Sequence, residues 1–347
     1  MKTDGEEIVF QVSALLKDDE LWAGKGFEVA FDEFIVKEGK PRPPFARTIS
    51  GGKKVMVSDE GGSYIVKGKG FEIAFDRNSG EMYSWEYKGN ELIVEGPCLN
   101  LWRAPLNNDG DYLPRQRRPI VKEWTAAGLD SLKHELVSFR QDASADAVTV
   151  IMEKKAKAPG KECHISYVER YTIYPDGRIH LKSSIVPVGK VFVTFPRVGY
   201  MMTVDGKLEN MKWYGYGPEE SYIDRHDGVR LGIYEETVSE SFVNYVYPQD
   251  NGNKHQCRWM SLSSDKMGVG VYSSDGNLDF SAMHYTQGNL SEAVDESQLI
   301  RIDDIVWKID AEHYPIGNRS CGPMPLDKYI LYAGKKEIDL ILTPYIK

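Results

Sequence analysis

Arg103 opens the segment Arg103-Ala104-Pro105-Leu106-Asn107-Asn108-Asp109-Gly110. A guanidinium can grip a carboxylate bidentately, and an Asn-Asn-Asp-Gly run turns the chain sharply, so Arg103, Asn108 and Asp109 form a candidate polar tie at a strand end. A second set follows Trp213-Tyr214-Gly215-Tyr216-Gly217-Pro218. Gly215, Gly217 and Pro218 would bend a strand and leave Glu220, Tyr222, Asp224 and Arg225 as a polar network at its exit. Asn251 sits in a third polar turn, Tyr245-Val246-Tyr247-Pro248-Gln249-Asp250-Asn251-Gly252. The stretch Asp310 to Pro323 adds His313, Tyr314, Asn318 and Cys321, and His284 lies between Met283 and Tyr285. None of these sets has metal-ligand spacing. Cys98, Cys163, Cys257 and Cys321 are scattered, with no C-x-x-C pair and no zinc pattern, so no metal site is expected; free thiols are expected, with one disulfide left open.

Strands must position these groups. Phe27, Val29 and Phe31, then Phe71, Ile73 and Phe75, then Tyr83, Trp85 and Tyr87 alternate with period two, as half-buried strands do. Asp76-Arg77-Asn78-Ser79-Gly80 and Pro175-Asp176-Gly177 have the composition of hairpin turns. One short helix is expected, near Val121 to Gly128. The fold class is therefore all-β, a large two-sheet sandwich with antiparallel pairing and no internal repeat. The Pro-, Gly- and Lys-rich stretch 37–62 reads as an interdomain linker, with Val55-Met56-Val57 its one strand candidate. Residues 1–36 hold two strand candidates, too few for a sandwich domain of their own. The expectation is an incomplete first domain (1–36), a linker (37–62) and one large domain (63–347), in a piece of a longer polypeptide or half of a split enzyme.

A formal net charge of -9, from 43 basic and 52 acidic residues, and the lack of a basic patch interleaved with aromatics argue against nucleic-acid and anionic-membrane partners. No stretch approaches the roughly 20 apolar residues of a membrane span, and the first residues lack a secretory apolar region. A soluble protein, cytoplasmic or periplasmic, is expected.

The ordered motifs carry a resemblance. Arg103 to Asp109 resembles the R-A-P-x-D/N-N-D motif of the last domain of family-two β-galactosidases, and Trp124-Thr125-Ala126-Ala127-Gly128 resembles that domain's W-x-x-A-G helix. Gly215 to Arg225 is similar to G-x-G-P-x-E-x-Y-x-D-R, and Tyr245 to Gly252 to Y-x-x-P-x-E/D-N-G. The resemblance covers 63–347 and implies a galactose-mutarotase-like supersandwich. Residues 5–36 look like the closing strands of the immunoglobulin-like domain that precedes it in these enzymes.

What the resemblance implies for function is specific. Hydrolysis of terminal non-reducing β-D-galactose residues needs two carboxylates flanking the glycosidic bond. In this family both are glutamates on a (β/α)8 barrel, together with the catalytic magnesium. No parallel βα repeat occurs here, so this chain is expected to carry no catalytic residue and no cofactor, and to need the remaining domains or a large subunit as partner. Its expected contribution is a loop near the C-terminus that binds the galactoside. The best-known members of the family have tryptophan where Cys321 stands; this departure implies an altered aglycone preference or a substitute platform such as Tyr314, with His313, His284 and Asn318 as further sugar-facing candidates. For Glu220 to Arg225 two readings stay open, structural pinning and direct sugar contact. A free-standing aldose epimerase, with a histidine acid and a glutamate base, a carbohydrate-binding module and an unrelated β-sandwich adhesin are the competing functions.

Overall fold

The computed structural model describes residues 5–46, 55–110, 119–144, 146–320 and 322–347. Cys321, a candidate site residue, lies outside them. The alternating segments fold as antiparallel strands. Asp76 to Gly80 joins strand Phe71–Asp76 to Met82–Tyr87, and Pro175-Asp176-Gly177 joins His164–Ile173 to Ile179–Val188. The helix forms at Ile120–Ala127, buries Ile120, Trp124 and Ala127, and ends on Gly128 in the left-handed conformation (φ 79°), which glycine adopts without a Cβ penalty. Two further helices, Val238–Ser241 and Gln287–Glu292, are too short to show a helical period in sequence.

The sandwich has one layer more finely divided than two sheets. A nine-stranded sheet runs from strand Arg230–Thr237 at one edge to Lys133–Ala143 at the other. Across the core stand two five-stranded sheets. One contains Met56–Glu60, Ser63–Gly68, Phe71–Asp76, Met82–Tyr87 and Asn90–Glu91. The other, in spatial order, contains Lys254–Cys257, Leu278–Met283, Ile305–His313, Arg197–Val204 and Ile93–Asn100. Edge-to-face rings join the layers, Phe75 to Tyr171 at 5.3 Å and Trp213 to Phe280 at 6.1 Å. The two smaller sheets meet where Gly96 passes over strand Met82–Tyr87; a Cβ on Gly96 would lie 1.9 Å from the Met82 carbonyl oxygen.

The stretch 37–62 is not all linker. Strand Met56–Glu60 pairs with Ser63–Gly68 and so belongs to the sandwich. Upstream, Phe45 is buried, stacked on Tyr345 at 5.7 Å and edge-on to Trp259 at 6.0 Å. It lies over Gly270, whose missing Cβ leaves the room for the ring. Phe45→Ala should cost about 3–5 kcal/mol in urea denaturation, from lost transfer energy and the cavity left behind.

Strands Ile8–Leu15 and Glu28–Lys37 form a separate two-stranded hairpin. It exposes Ile8, Phe10, Val12, Leu15, Val29 and Phe34. Charge ties it to the sandwich edge. Glu7 takes both Arg258 Nη2 (2.7 Å) and Nε (3.0 Å) and the Tyr214 hydroxyl (2.5 Å), Arg230 bonds Glu28, and the Leu231 amide donates to Glu33. Cys98, Cys163 and Cys257 are free thiols. Among the described residues no helix is long and apolar enough to cross a membrane.

A candidate functional site on a roofed polar sheet face

Strand Ile305–His313 alternates sharply. Trp307 and Ile309 enter the hydrophobic core, which turns Lys308 and Asp310 to the other face of their sheet. The neighbouring strands add Arg197, Asp279 and Ser281 to that face. A sandwich sheet commonly leaves its second face to water. Here Arg197, Lys308 and Asp310 are all fully buried, beneath a roof made by segments 101–109, 218–225, 249–253 and 313–317.

The roof is held by charge. Asp250 reaches down to accept from Arg197 Nη2 at 2.7 Å and from Lys308 Nζ. Burial alone would raise its pKa, but Arg197 and Lys308 outweigh that and hold the carboxyl well below its usual range. His313 points Nε2 at Arg197 Nη2 (3.0 Å) and Nδ1 at the Tyr314 carbonyl oxygen (2.8 Å). Burial lowers its pKa to about 4, with Arg197 and Arg103 adding to the effect. The neutral ring then donates from Nδ1 to the carbonyl and accepts at Nε2. The Asp310 carboxyl makes no hydrogen bond among the described residues and lies 3.7 Å from Arg197. Burial pushes its pKa to about 7; Arg197 opposes this, and Asp279 and Asp250 add to it.

The loop beyond His313 is pinned from two sides. Arg103, fully buried, grips Asp109 bidentately, Nη2 to Oδ1 at 2.7 Å and Nε to Oδ2 at 3.1 Å. It also donates to the carbonyls of Tyr314 (2.9 Å) and Pro315 (3.2 Å). Asn108 donates to the Gly317 carbonyl and accepts from the Ser320 amide at 3.1 Å. From the opposite side, Asp224 accepts the amides of Ile316 (3.0 Å) and Gly317 (2.7 Å). Gly317 is left-handed (φ 62°), and a Cβ there would lie 2.8 Å from Pro325. The backbone of 314–320 is thus set by three side chains from two distant segments.

Glu220 organises the other wall. It accepts from Arg225 Nη2 (2.6 Å), the Tyr222 hydroxyl (3.0 Å), the Gly252 amide (2.9 Å) and the Tyr245 hydroxyl. Asn251 accepts from the Val243 amide and donates to the Gln249 carbonyl, closing that loop. Between the walls lies a cleft of about 240 Å³, lined among others by Asn107, Asn108, Arg225, Tyr245, Gln249 and Ser320.

Of the residues singled out in the sequence, Arg103, Asn108, Asp109, Glu220, Tyr222, Asp224, Arg225, Asn251, His313 and Tyr314 come together here. Three expectations change. Tyr314 is buried edge-on against Trp124 (5.3 Å) and beneath Arg103, so it offers no platform to a ligand. His313 is a buried strut, not a sugar-facing group. His284 lies away from the cleft, with Nδ1 against the carbonyls of Ile302 and Asp304 and Nε2 on Glu209. It is surrounded because it ties the strand Leu278–Met283 to the loop that returns beside it. Asn318 is exposed on the loop, its carbonyl accepting the Gly322 amide. The sequence assigns no role to Arg197 and Lys308, and it shows Gln249, Asp250 and Asp310 only as members of polar stretches. The alternation Trp307-Lys308-Ile309-Asp310 was the available signal, since it places two charges on one face of an otherwise apolar strand.

A family model described as the β-galactosidase small chain matches residues 67–342. The β-galactosidase of Priestia megaterium is 26% identical over 337 residues, covering 96% of this chain and 31% of that protein. That of Halalkalibacterium halodurans is 27% identical, covering 96% of this chain and 32% of the relative. The chain spans about a third of the length of these curated relatives. Among solved structures, galactose 1-epimerase from Lactobacillus acidophilus aligns with a TM-score of 0.47 at 9% identity, over 85% of this chain and 99% of that one. With the family model covering most of the chain and its charged motifs meeting in one roofed site, this protein belongs to the β-galactosidase small-chain family.

Proposed function

We propose that this chain is the C-terminal part of a β-galactosidase that hydrolyses terminal non-reducing β-D-galactose residues, and that it completes the active site without supplying the catalytic carboxylates. The observation that carries this reading is the double pinning of segment 314–320 by Arg103 and Asn108 on one side and Asp224 on the other. Six backbone groups of a surface loop are fixed by buried or half-buried side chains, which is what a loop presented to a substrate requires. Carbohydrate would meet this loop around the exposed Asn318. The two glutamates of hydrolysis, and the magnesium that goes with them, would reside on the barrel of the whole enzyme.

The hairpin Ile8–Leu15 and Glu28–Lys37 supports a multidomain setting. A two-stranded ribbon is marginal on its own, and this one exposes apolar side chains that further strands of an immunoglobulin-like domain would cover. The epimerase alternative is weaker, because neither His284 nor His313 has a ring nitrogen open to a cleft.

The test is reconstitution. The chain alone should release no nitrophenol from nitrophenyl β-D-galactoside, and adding the barrel-containing remainder of the enzyme should restore hydrolysis in proportion to the limiting part. No gain across a range of ratios and salt concentrations would sink the proposal.

A further inference from the structure

The cleft between Tyr245 and the pinned loop has a composition that points to its occupant. Its two carboxylates are already saturated. Glu220 Oε1 takes Arg225 and Tyr245, and Oε2 takes Tyr222 and the Gly252 amide. Asp250 takes Arg197 and Lys308. The open groups are different. Gln249 spends its side-chain oxygen on the Asn107 amide and leaves its amide N–H pair without a partner among the described residues. The exposed Asn107 side chain makes no hydrogen bond among them either. Arg225 is half-exposed and keeps N–H groups beyond those held by Glu220 and Tyr245.

A ligand in this space therefore meets mainly donors, with the Asn107 side-chain oxygen as an open acceptor. It must bring acceptor oxygens, and nothing in the cleft calls for a net negative charge, because Arg225 is paired with Glu220 and both buried cations, Arg197 and Lys308, are turned onto Asp250. Tyr245, Leu106 and Ile316 supply the apolar part of the lining, suited to a face of C–H groups. The volume, about 240 Å³, fits one ring and not a chain.

We infer that this cleft binds a single neutral pyranose ring, with Tyr245 as its aromatic wall and Gln249, Asn107 and Arg225 donating to its hydroxyl oxygens. The inference deepens the proposed function, since it adds a second point of carbohydrate contact beside the loop tip. It rests on that reading only for the choice of galactose as the probe. The cleft is complete within this chain, so binding does not require the catalytic barrel.

The experiment is a titration of the full chain with methyl β-D-galactoside, followed by calorimetry and by saturation-transfer NMR, with galacturonate as the charged counterpart. Saturation transfer to the ring protons and a dissociation constant on the order of millimolar are expected, as befits one small polar ring. Tyr245→Ala and Asn107→Ala should each weaken binding, the first by roughly tenfold or more, the second by roughly threefold. The Asn107 side chain is exposed and makes no hydrogen bond among the described residues, so its variant tests the cleft without threatening the fold; thermal unfolding checks Tyr245→Ala. Absence of transfer from the wild-type chain, binding unchanged in both variants, or tighter binding of galacturonate would each overturn the inference. Reconstituted hydrolysis without binding to the isolated chain would remove the cleft and leave the proposed function standing. Binding without reconstitution would do the reverse.

Discussion

Replacing Arg103 with methionine is expected to destabilise the protein by about 3–5 kcal/mol, the largest single-residue effect at this site. The cost is not the worth of one ion pair. Asp109 would be left buried with its charge uncompensated, although burial already raises its pKa and Arg103 is what offsets that. The carbonyls of Tyr314 and Pro315 would lose their donor at the same time. Removing both charges should be much milder. In Arg103→Met/Asp109→Leu no ion is stranded, and replacing a buried pair by apolar residues of similar volume is often close to neutral. Chemical denaturation of the four members of this cycle measures the coupling. A double variant as unstable as Arg103→Met alone would show that the pair matters for shape and not for charge balance. In the reconstituted enzyme the double variant should regain stability yet keep a raised KM, because the backbone of 314–315 is still untethered.

The second large effect is a dependence on pH. Asp310 ionises near 3.9 in an unfolded chain but at about 7 in the fold. The folded state therefore holds its proton more tightly, and the stability this contributes is full at low pH and lost as pH rises from about 4 to 7. His313 has the opposite sign. Its pKa falls from about 6.5 in the unfolded chain to about 4 in the fold, so its contribution is present above pH 6.5 and lost as pH falls toward 4. The two slopes oppose each other in nearly the same window. Wild-type stability should draw little net slope from this pair, and each single variant should uncover the other residue. Asp310→Asn should become less stable on acidification from pH 6.5 to 4, by up to about 1.4 kcal/mol per pH unit. His313→Gln should become less stable as pH rises from 4 to 7. Asp339, held far below its usual pKa by His180, Lys182 and the Ser274 amide against the cost of burial, adds the same acid lability to both variants and cancels between them. Urea midpoints at half-unit pH intervals read the slopes. Parallel profiles in the two variants would refute the assignment.

Both effects come from a face that is only partly visible in the linear chain. The all-β class, the two hairpin turns and the helix ending at Gly128 were legible because each depends on local periodicity or on one residue's backbone freedom. So were the motifs around Arg103, Glu220 and Asn251, since their polar residues cluster within a few positions of one another. Strand alternation alone implies a single second sheet where the sandwich has two, because the break at Gly96 depends on another strand arriving over it. Composition gives the stretch 37–62 the look of a linker, yet Phe45 docks into an aromatic socket built by residues more than 200 positions away.

The sequence by itself determined which residues are polar enough to form a site and which strands could carry them. It determined the family as well, through four short motifs in order. Tertiary structure alone decided their roles. His313 and Tyr314 have the residue types of ligand-facing groups, but their surroundings come from Arg103 and Arg197, which lie about 100 to 200 residues away in the chain, and His284 is enclosed by Glu209 and the loop at 302–304. A side chain's exposure and protonation depend on what packs over it, and no local pattern encodes that. The same holds for the cleft, whose open donors are defined by which of their neighbours have already been used.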